Sequence, residues 1–352
     1  MQKTIYGIGV MSGTSLDGMD VVYVKFENDG IYQYEIIYSE TYAYPKNWLE
    51  SLKTAFHKKP EDLKELDSLY GVYIGEVVNA FIKYFEIEKV DLIASHGHTI
   101  FHKPEEGFTM QIGCGKEIAK ITNKKVVYDF RTQDVELGGQ GAPLVPIGDK
   151  LLFSEYDFCL NLGGFANVSF EKNKQRIAFD ICPVNIVMNY FTREIGKEFD
   201  DKGELASIGY INSKLLKSLN EDPFFKLNYP KSLGFEFVEK NVLPIIKEYN
   251  LETEDILRTY VEHVSIQIAN IVGENKSSKT LVTGGGVYND FLLERIRYHS
   301  TSTFVIPENK LVEFKEALIF AFLGLLRVEG KVNCLKSVTG ANNDHSSGAI
   351  CE

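Results

Sequence analysis

One order of elements occurs twice in this chain, and few folds accommodate that. In the first half the runs "TIYGIGV", "MDVVYVKF" and "YQYEIIYSE" are rich in β-branched and aromatic residues and parted by turns. A helical pattern, "LDSLYGVYIGEVVNAFIKYF", follows, and "VDLIAS" and "KKVVYDF" supply two more strands. In the second half "YDFCLNLGG", "ANVSFEK" and "QRIAFDI" form another three-strand meander. The helical "NIVMNYFTREIG", the strands "KTLVTGG" and "STFVIP", and the long helix "LVEFKEALIFAFLGLLRVEG" come after it. Almost no residues match between the halves, so the repeat is one of architecture and not of sequence. The pattern predicts an α/β protein of two domains, each a mixed five-stranded sheet with flanking helices, around a central cleft. The first domain is expected at 1–135 plus about 330–352, and the second at 136–329. Two irregular stretches, "FRTQDVELGGQGAPLVPIGDK" near the boundary and "EDPFFKLNYPKSLGFEF", read as binding loops.

Composition narrows the function classes. With 352 residues, 44% hydrophobic and 25% charged, each domain has enough apolar residues for its own core. A net charge of -11 argues against a broad nucleic-acid surface and favours small-molecule chemistry. No apolar segment follows a basic start and no window reaches the length of a membrane span, so a cytoplasmic protein is expected. Five widely spaced cysteines without a Cys-x-x-Cys pair suggest reduced thiols, not a disulfide framework or zinc knuckle.

The stretch "GIGVMSGTSLDGMDVVYVKF" places Ser12, Gly13, Thr14, Ser15, Asp17, Gly18 and Asp20 in one hairpin. A structural tip needs one or two residues of turn chemistry; this one offers several hydroxyls, backbone N–H groups and two carboxylates, an inventory for holding phosphate and a divalent cation. Two further glycine-rich segments, "NLGGFAN" with Gly163 and Gly164 and "TGGGVYND" with Gly284, Gly285 and Gly286, also follow strands. Glycine there lets backbone N–H groups approach phosphate oxygens, and the third segment is expected to run into a helix whose N-terminus adds a positive dipole end. None fits the G-x-x-x-x-G-K-[ST] loop, so each taken alone is also an ordinary tight turn. Asp180 in "AFDICPVN" is read as ending a strand before a helix, either as an N-cap or as a general base. In "HGHTIFH", His96, His98 and His102 would share a strand face; a turn with hydrogen-bonding imidazoles is preferred over a zinc site. Glu316, on the last long helix, reads by itself as a solvated or capping group.

Taken in order, these motifs resemble one family, the anhydro-N-acetylmuramic acid kinases, within the sugar kinase, actin and heat-shock ATPase fold group. The resemblance runs from Gly7 to about Ile350 and rests on "GVMSGTSLDGMD", "SHGHTIFH", "QIGCG", "DFRTQDVELGGQGAPLVP", "LNLGGFANVS", "PKSLG", "TGGGVYNDFLL", "EALIFAFL" and "SVTGA". It implies two actin-like (ribonuclease H-like) domains and a kinase that uses ATP and water to open 1,6-anhydro-N-acetylmuramic acid, leaving the 6-phosphate. Carried over by position, Gly13, Thr14, Ser15, Leu16, Asp17, Gly18, Met19 and Asp20 form the nucleotide loop. Asp17 and Asp20 are the candidate Mg2+ ligands, and Gly163, Gly164 and Gly284 to Gly286 lie by the nucleotide. Asp180 is the base that activates water, and Glu316 is expected to help orient that water. Arg131 is the candidate for the sugar's lactyl carboxylate, with a domain-boundary salt bridge as the alternative; Gln111 and His96 are further substrate-binding candidates. A homodimer is expected, with the apolar helix near 255–272 as a possible contact.

Several positions depart from the commoner family pattern. After Asp180 the usual run Thr-Gly-Pro-Gly-Asn is replaced by Ile181, Cys182, Pro183, Val184 and Asn185, which is expected to restrict the loop and narrow the pocket. Asn189 stands where a carboxylate is usual, and Leu233 and Phe235 replace a threonine and an arginine. A kinase for a different amino sugar or polyol, or a weakly catalytic ATP-binding protein of the same fold, are the alternative readings.

Overall fold

The computed structural model describes residues 4–13, 16–273 and 278–352. The chain divides into two compact units, Met1–Leu152 with Phe314–Glu352, and Phe153–Glu313.

In the first unit, β1 (Ile5–Ser12), β2 (Met19–Asn28) and β3 (Tyr32–Tyr42) form an antiparallel meander. The helix Pro60–Tyr84 returns the chain so that β4 (Leu92–Ser95) lies parallel to β1. Next, β5 (His98–Lys103) and β6 (Phe108–Ile112) pair as a separate hairpin, and β7 (Val126–Tyr128) adds parallel to β4. Strands β1 and β2 are buried in long runs and do not alternate, as strands covered on both faces must be. One face packs on Leu63, Leu66, Tyr70, Ile74, Val78 and Phe81 of the helix Pro60–Tyr84, spaced three and four apart on a single stripe. The helix Asn309–Val328 approaches so closely that a Cβ on Gly9 would run into the Ala317 carbonyl, and one on Gly324 would sit 2.6 Å from the Ala94 Cβ.

The second unit repeats this plan with β8 (Phe158–Leu162), β9 (Phe165–Lys172), β10 (Gln175–Pro183), β11 (Lys279–Thr283) and β12 (Thr303–Val305). Its order, β10-β9-β8-β11-β12, matches β3-β2-β1-β4-β7 in the first, with the first three strands antiparallel and the last two parallel to the first strand. This is the ribonuclease H-like order, built twice. A last strand, β13 (Ala349–Cys351), pairs antiparallel with β7, so the first sheet has six strands where five were expected.

Two further expectations change. The units part at 152/153 and 313/314, not at 135/136 and 329/330. The helix Pro146–Leu152 belongs to the first unit because Lys315 and Asp149 form a buried ion pair at 2.7 Å and Gly148 lies against Ile319. The helix Thr253–Val272, considered as a dimer contact, spends its apolar residues in the second unit's own core, where Leu257, Val261, Val264 and Ile268 are fully buried. Among the described residues no helix is long and apolar enough to cross a membrane.

Candidate active site

In the first unit the β1–β2 turn begins at Gly13; Thr14 and Ser15, named above for the nucleotide loop, lie outside the described residues. The residue before the turn is held firmly. Ser12 Oγ lies 2.6 Å from Tyr44 Oη and 2.9 Å from His98 Nδ1, and it accepts a hydrogen bond from Tyr70 Oη at 2.9 Å. Burial pushes the His98 imidazole down to about 4, so it is neutral at pH 7 and serves this network uncharged. Leu16 closes the turn with a left-handed φ of 61°. Gly18 is required by packing, since a Cβ there would fall 2.6 Å from Thr41 Cγ2. Met19 is fully buried at the start of β2, so its side chain serves the core. Asp20 accepts a hydrogen bond from Thr41 Oγ1 at 2.6 Å, whereas Asp17 is exposed near the tip.

The three histidines do not converge. A bulge between Thr99 and Phe101 breaks the alternation of β5, and each imidazole takes a different partner. His98 joins Ser12, and His102 Nδ1 lies 3.2 Å from Thr109 Oγ1. His96 Nε2 accepts from Arg131 Nε at 3.0 Å, so its Nδ1 carries the proton and donates to the Gly97 carbonyl at 2.9 Å. Both nitrogens of the buried His96 are thereby committed, Nε2 to Arg131 and Nδ1 to the backbone. Gln111 donates to Thr109 Oγ1 at 2.9 Å and to Thr99 Oγ1 at 3.4 Å.

Arg131 also donates from Nη1 to the Gly141 carbonyl at 2.8 Å. Burial lowers its pKa to about 10, with the negative charge of Glu316 the strongest opposing influence, and it stays cationic at pH 7. Its hydrogen-bond partners among the described residues are a neutral imidazole and a carbonyl, so the salt bridge considered above is not formed there. Glu316 is solvent-accessible, yet the protein around it strips enough hydration to raise its carboxyl; Arg131 and Lys315 pull the other way.

In the second unit Asp180 lies within β10, which runs on through a bulge to Pro183, so it is not an N-cap. The segment 231–233 straps it on both sides: the Asp180 N–H donates to the Lys231 carbonyl at 3.2 Å, and Asp180 Oδ2 accepts from the Leu233 N–H at 2.8 Å. Burial raises its carboxyl, and that one backbone hydrogen bond only partly opposes it. Leu233 uses its backbone here, so replacing threonine leaves this contact available. Cys182 and Val184, the Cβ-bearing replacements after Asp180, are 0% exposed and packed in the hydrophobic core, so they fill the core instead of narrowing a pocket.

Gly163 and Gly164 form the β8–β9 turn. Their carbonyls accept the N–H groups of Asn185 at 3.3 Å and of Val184 at 2.7 Å, capping the start of the helix Asn185–Glu194. The three glycines after β11 are not equivalent. Gly284 has φ of 85°, and a Cβ there would lie 2.5 Å from Asn161 Oδ1; one on Gly286 would lie 2.7 Å from Leu162 Cβ. On Gly285 a Cβ would meet nothing within 4 Å among the described residues. The helix Asp290–His299 does not begin directly after them: a 3-10 turn, Gly285–Tyr288, intervenes, and the Asn289 side chain caps Leu292 N at 2.8 Å. Tyr44 and Tyr70, which fix the first turn through Ser12, went unread because their roles appear only once distant segments meet.

Residues 5–352 match the family model described as anhydro-N-acetylmuramic acid kinase. Curated relatives of that name include one from Shewanella denitrificans, 34% identical over 97% of each chain, and one from Vibrio cholerae, 34% identical over 99% of this chain and 98% of that one. A third, from Haemophilus influenzae, is 33% identical over 99% of this chain and 98% of that one. A match of this extent, on a ribonuclease H-like plan built twice, means that the chain belongs to the anhydro-N-acetylmuramic acid kinase family.

Proposed function

We propose that this protein is an ATP-dependent kinase that opens the 1,6-anhydro ring of anhydro-N-acetylmuramic acid with water and leaves N-acetylmuramic acid 6-phosphate, a step in cell-wall sugar recycling. The observation that carries the proposal is the family match over residues 5–352. In this reading Asp180 takes a proton from water as the water oxygen bonds to C1 and the C1–O6 bond breaks; O6 then accepts the γ-phosphoryl group of ATP and ADP leaves. A carboxylate made more basic by burial, with one oxygen anchored, suits that task. Glu316 is assigned to orienting the water.

Arg131 is proposed to bind the lactyl carboxylate. Its guanidinium is oriented by His96 and Gly141 and remains charged, which supports recognition of an anion. His96 therefore acts on the sugar through Arg131 and not by contact, while Gln111 is retained as a substrate-binding candidate. The first turn, with Gly13, Leu16 and Gly18, and the second unit's Gly163, Gly164 and Gly285 are proposed to receive the nucleotide. Asp17 and Asp20 offer hard carboxylate oxygens of the kind Mg2+ prefers, and the ion would neutralise phosphate charge. We also place the reaction in the cytoplasm and infer a homodimer, for which the exposed Phe199, Ile208 and Tyr210 are candidate contacts.

The test is ADP formation from ATP with and without the anhydro sugar. Sugar-dependent turnover is expected. ADP formation only with a different amino sugar or a polyol, or ATP binding without any turnover, would overturn the assignment.

A further inference from the structure

We propose that Asp134, Cys334 and His345 form a binding site for a zinc-class divalent transition-metal ion in the first unit, remote in role from the phosphoryl-transfer chemistry. Asp134 lies on the short helix Thr132–Glu136 and is 0% exposed; Cys334 and His345 come from the C-terminal segment and are 1% and 7% exposed. One ligand atom from each lies within 4.8 Å of the others. Cys334 Sγ is 3.0 Å from Asp134 Oδ1, and His345 Nε2 is 3.5 Å from the same oxygen.

The histidine is the telling member. Its Nδ1 lies 3.1 Å from the Asn343 carbonyl, which requires a proton on Nδ1; in the neutral imidazole the lone pair is then on Nε2, the nitrogen that faces Asp134 Oδ1. That buried Nε2 has no hydrogen-bond partner among the described residues. An orphaned imidazole nitrogen facing a thiol and a carboxylate, with its other nitrogen donating to a backbone carbonyl, is the arrangement a metal-ligating histidine takes. The backbone fixes the pair as well, because Cys334 and His345 exchange N–H to carbonyl bonds at 3.1 Å in an isolated antiparallel bridge.

Charge supports the same reading. On binding, Cys334 releases its thiol proton to solvent, and the thiolate and the Asp134 carboxylate together neutralise a divalent ion in a site closed to water. Asp134 Oδ2 is already oriented by the Gly141 N–H at 2.7 Å. Thr339 Oγ1, 2.7 Å from Asp134 Oδ1, is the nearest further oxygen donor. The mixture of sulfur, imidazole nitrogen and carboxylate oxygen favours zinc over magnesium or calcium. Such an ion would tie the C-terminal segment to the helix that follows Arg131.

The experiment uses the full chain stripped of metal with a chelator and titrated with cobalt(II), then zinc. The expected result is a thiolate-to-cobalt charge-transfer absorption saturating at one equivalent, displaced by zinc, with zinc raising the melting temperature. Both signals should be lost in Cys334→Ser and in His345→Gln and kept in Cys114→Ser, with circular dichroism confirming that each variant is folded. If the folded parent chain gives no thiolate band at one equivalent of cobalt, or if the band survives in Cys334→Ser, the site is refuted. In the first case the cluster is only a hydrogen-bonded carboxylate; in the second the thiolate ligand belongs to another cysteine.

Discussion

Gly284 and Gly285 are neighbours in sequence but should respond to alanine in opposite ways. At Gly284 the backbone, with φ of 85° and ψ of 159°, lies in a region kept essentially for glycine, and a residue with a Cβ there costs about 1–3 kcal/mol. The new methyl would also press on Asn161 Oδ1 at 2.5 Å and on the Leu162 carbonyl group at 2.9 Å, and overpacking of that kind costs about 1–3 kcal/mol more. Gly284→Ala should therefore destabilise the second unit by about 2–6 kcal/mol, a fall in melting temperature of about 4–24 °C at this size. At Gly285 the methyl meets nothing within 4 Å among the described residues, and the substitution should leave stability within about 0.5 kcal/mol of the parent. If that open face receives the nucleotide, Gly285→Ala should instead raise the KM for ATP about tenfold, equivalent to about 1.4 kcal/mol of lost binding. Differential scanning calorimetry and ATP-dependent kinetics separate the two. A stable Gly284→Ala protein would refute the packing argument, and a Gly285→Ala enzyme with the parent KM for ATP would remove Gly285 from the nucleotide site.

Asp180→Asn should lower kcat by a factor of at least about 10³, on the scale of losing a general base, while ATP still raises the melting temperature. Burial raises the folded-state carboxyl of Asp180, so its ionisation opposes folding above its unfolded pKa, and that penalty disappears as pH falls. The asparagine variant should thus melt no lower than the parent at pH 7, and retained turnover would remove Asp180 as the base. The same raised carboxyl should place the acidic limb of the kcat/KM profile above the pH at which an ordinary aspartate ionises; a limb at the ordinary value would contradict it. Arg131→Ala should raise the KM for the acidic sugar by about 10- to 100-fold, the worth of a charge-assisted contact of about 1.5–3 kcal/mol, and leave the KM for ATP unchanged. Equal KM values for the sugar in variant and parent would leave Arg131 with only its bonds to His96 and Gly141.

The ten strands of the two meanders and their parallel partners were legible because each is a run of β-branched and aromatic residues with turn chemistry at its ends. The β5–β6 hairpin was missed because its alternation is broken at Ile100 by the bulge, and β13 because three residues carry no period. The unit boundaries were misplaced for a different reason: the buried Lys315–Asp149 pair joins segments far apart in sequence, and nothing local marks it. Asp180 was legible as a carboxylate on the third strand of the second meander. Its partner was not, since the Leu233 contact is made by backbone and is blind to side-chain identity. The departures at Cys182 and Val184 looked like changes to a pocket from sequence alone; burial shows them to be core residues.

The most direct test of the proposed chemistry is the fate of the water oxygen. The reaction is run with ATP and 1,6-anhydro-N-acetylmuramic acid in oxygen-18 water, quenched quickly to limit exchange at the anomeric centre, and the products are weighed by mass spectrometry with fragmentation. Water attack at C1 followed by phosphoryl transfer to O6 predicts a sugar 6-phosphate with one heavy oxygen on C1 and none in the phosphate. Heavy oxygen in inorganic phosphate with the anhydro sugar unchanged would mean that water attacks ATP instead, and the account of this protein as a ring-opening sugar kinase would fall.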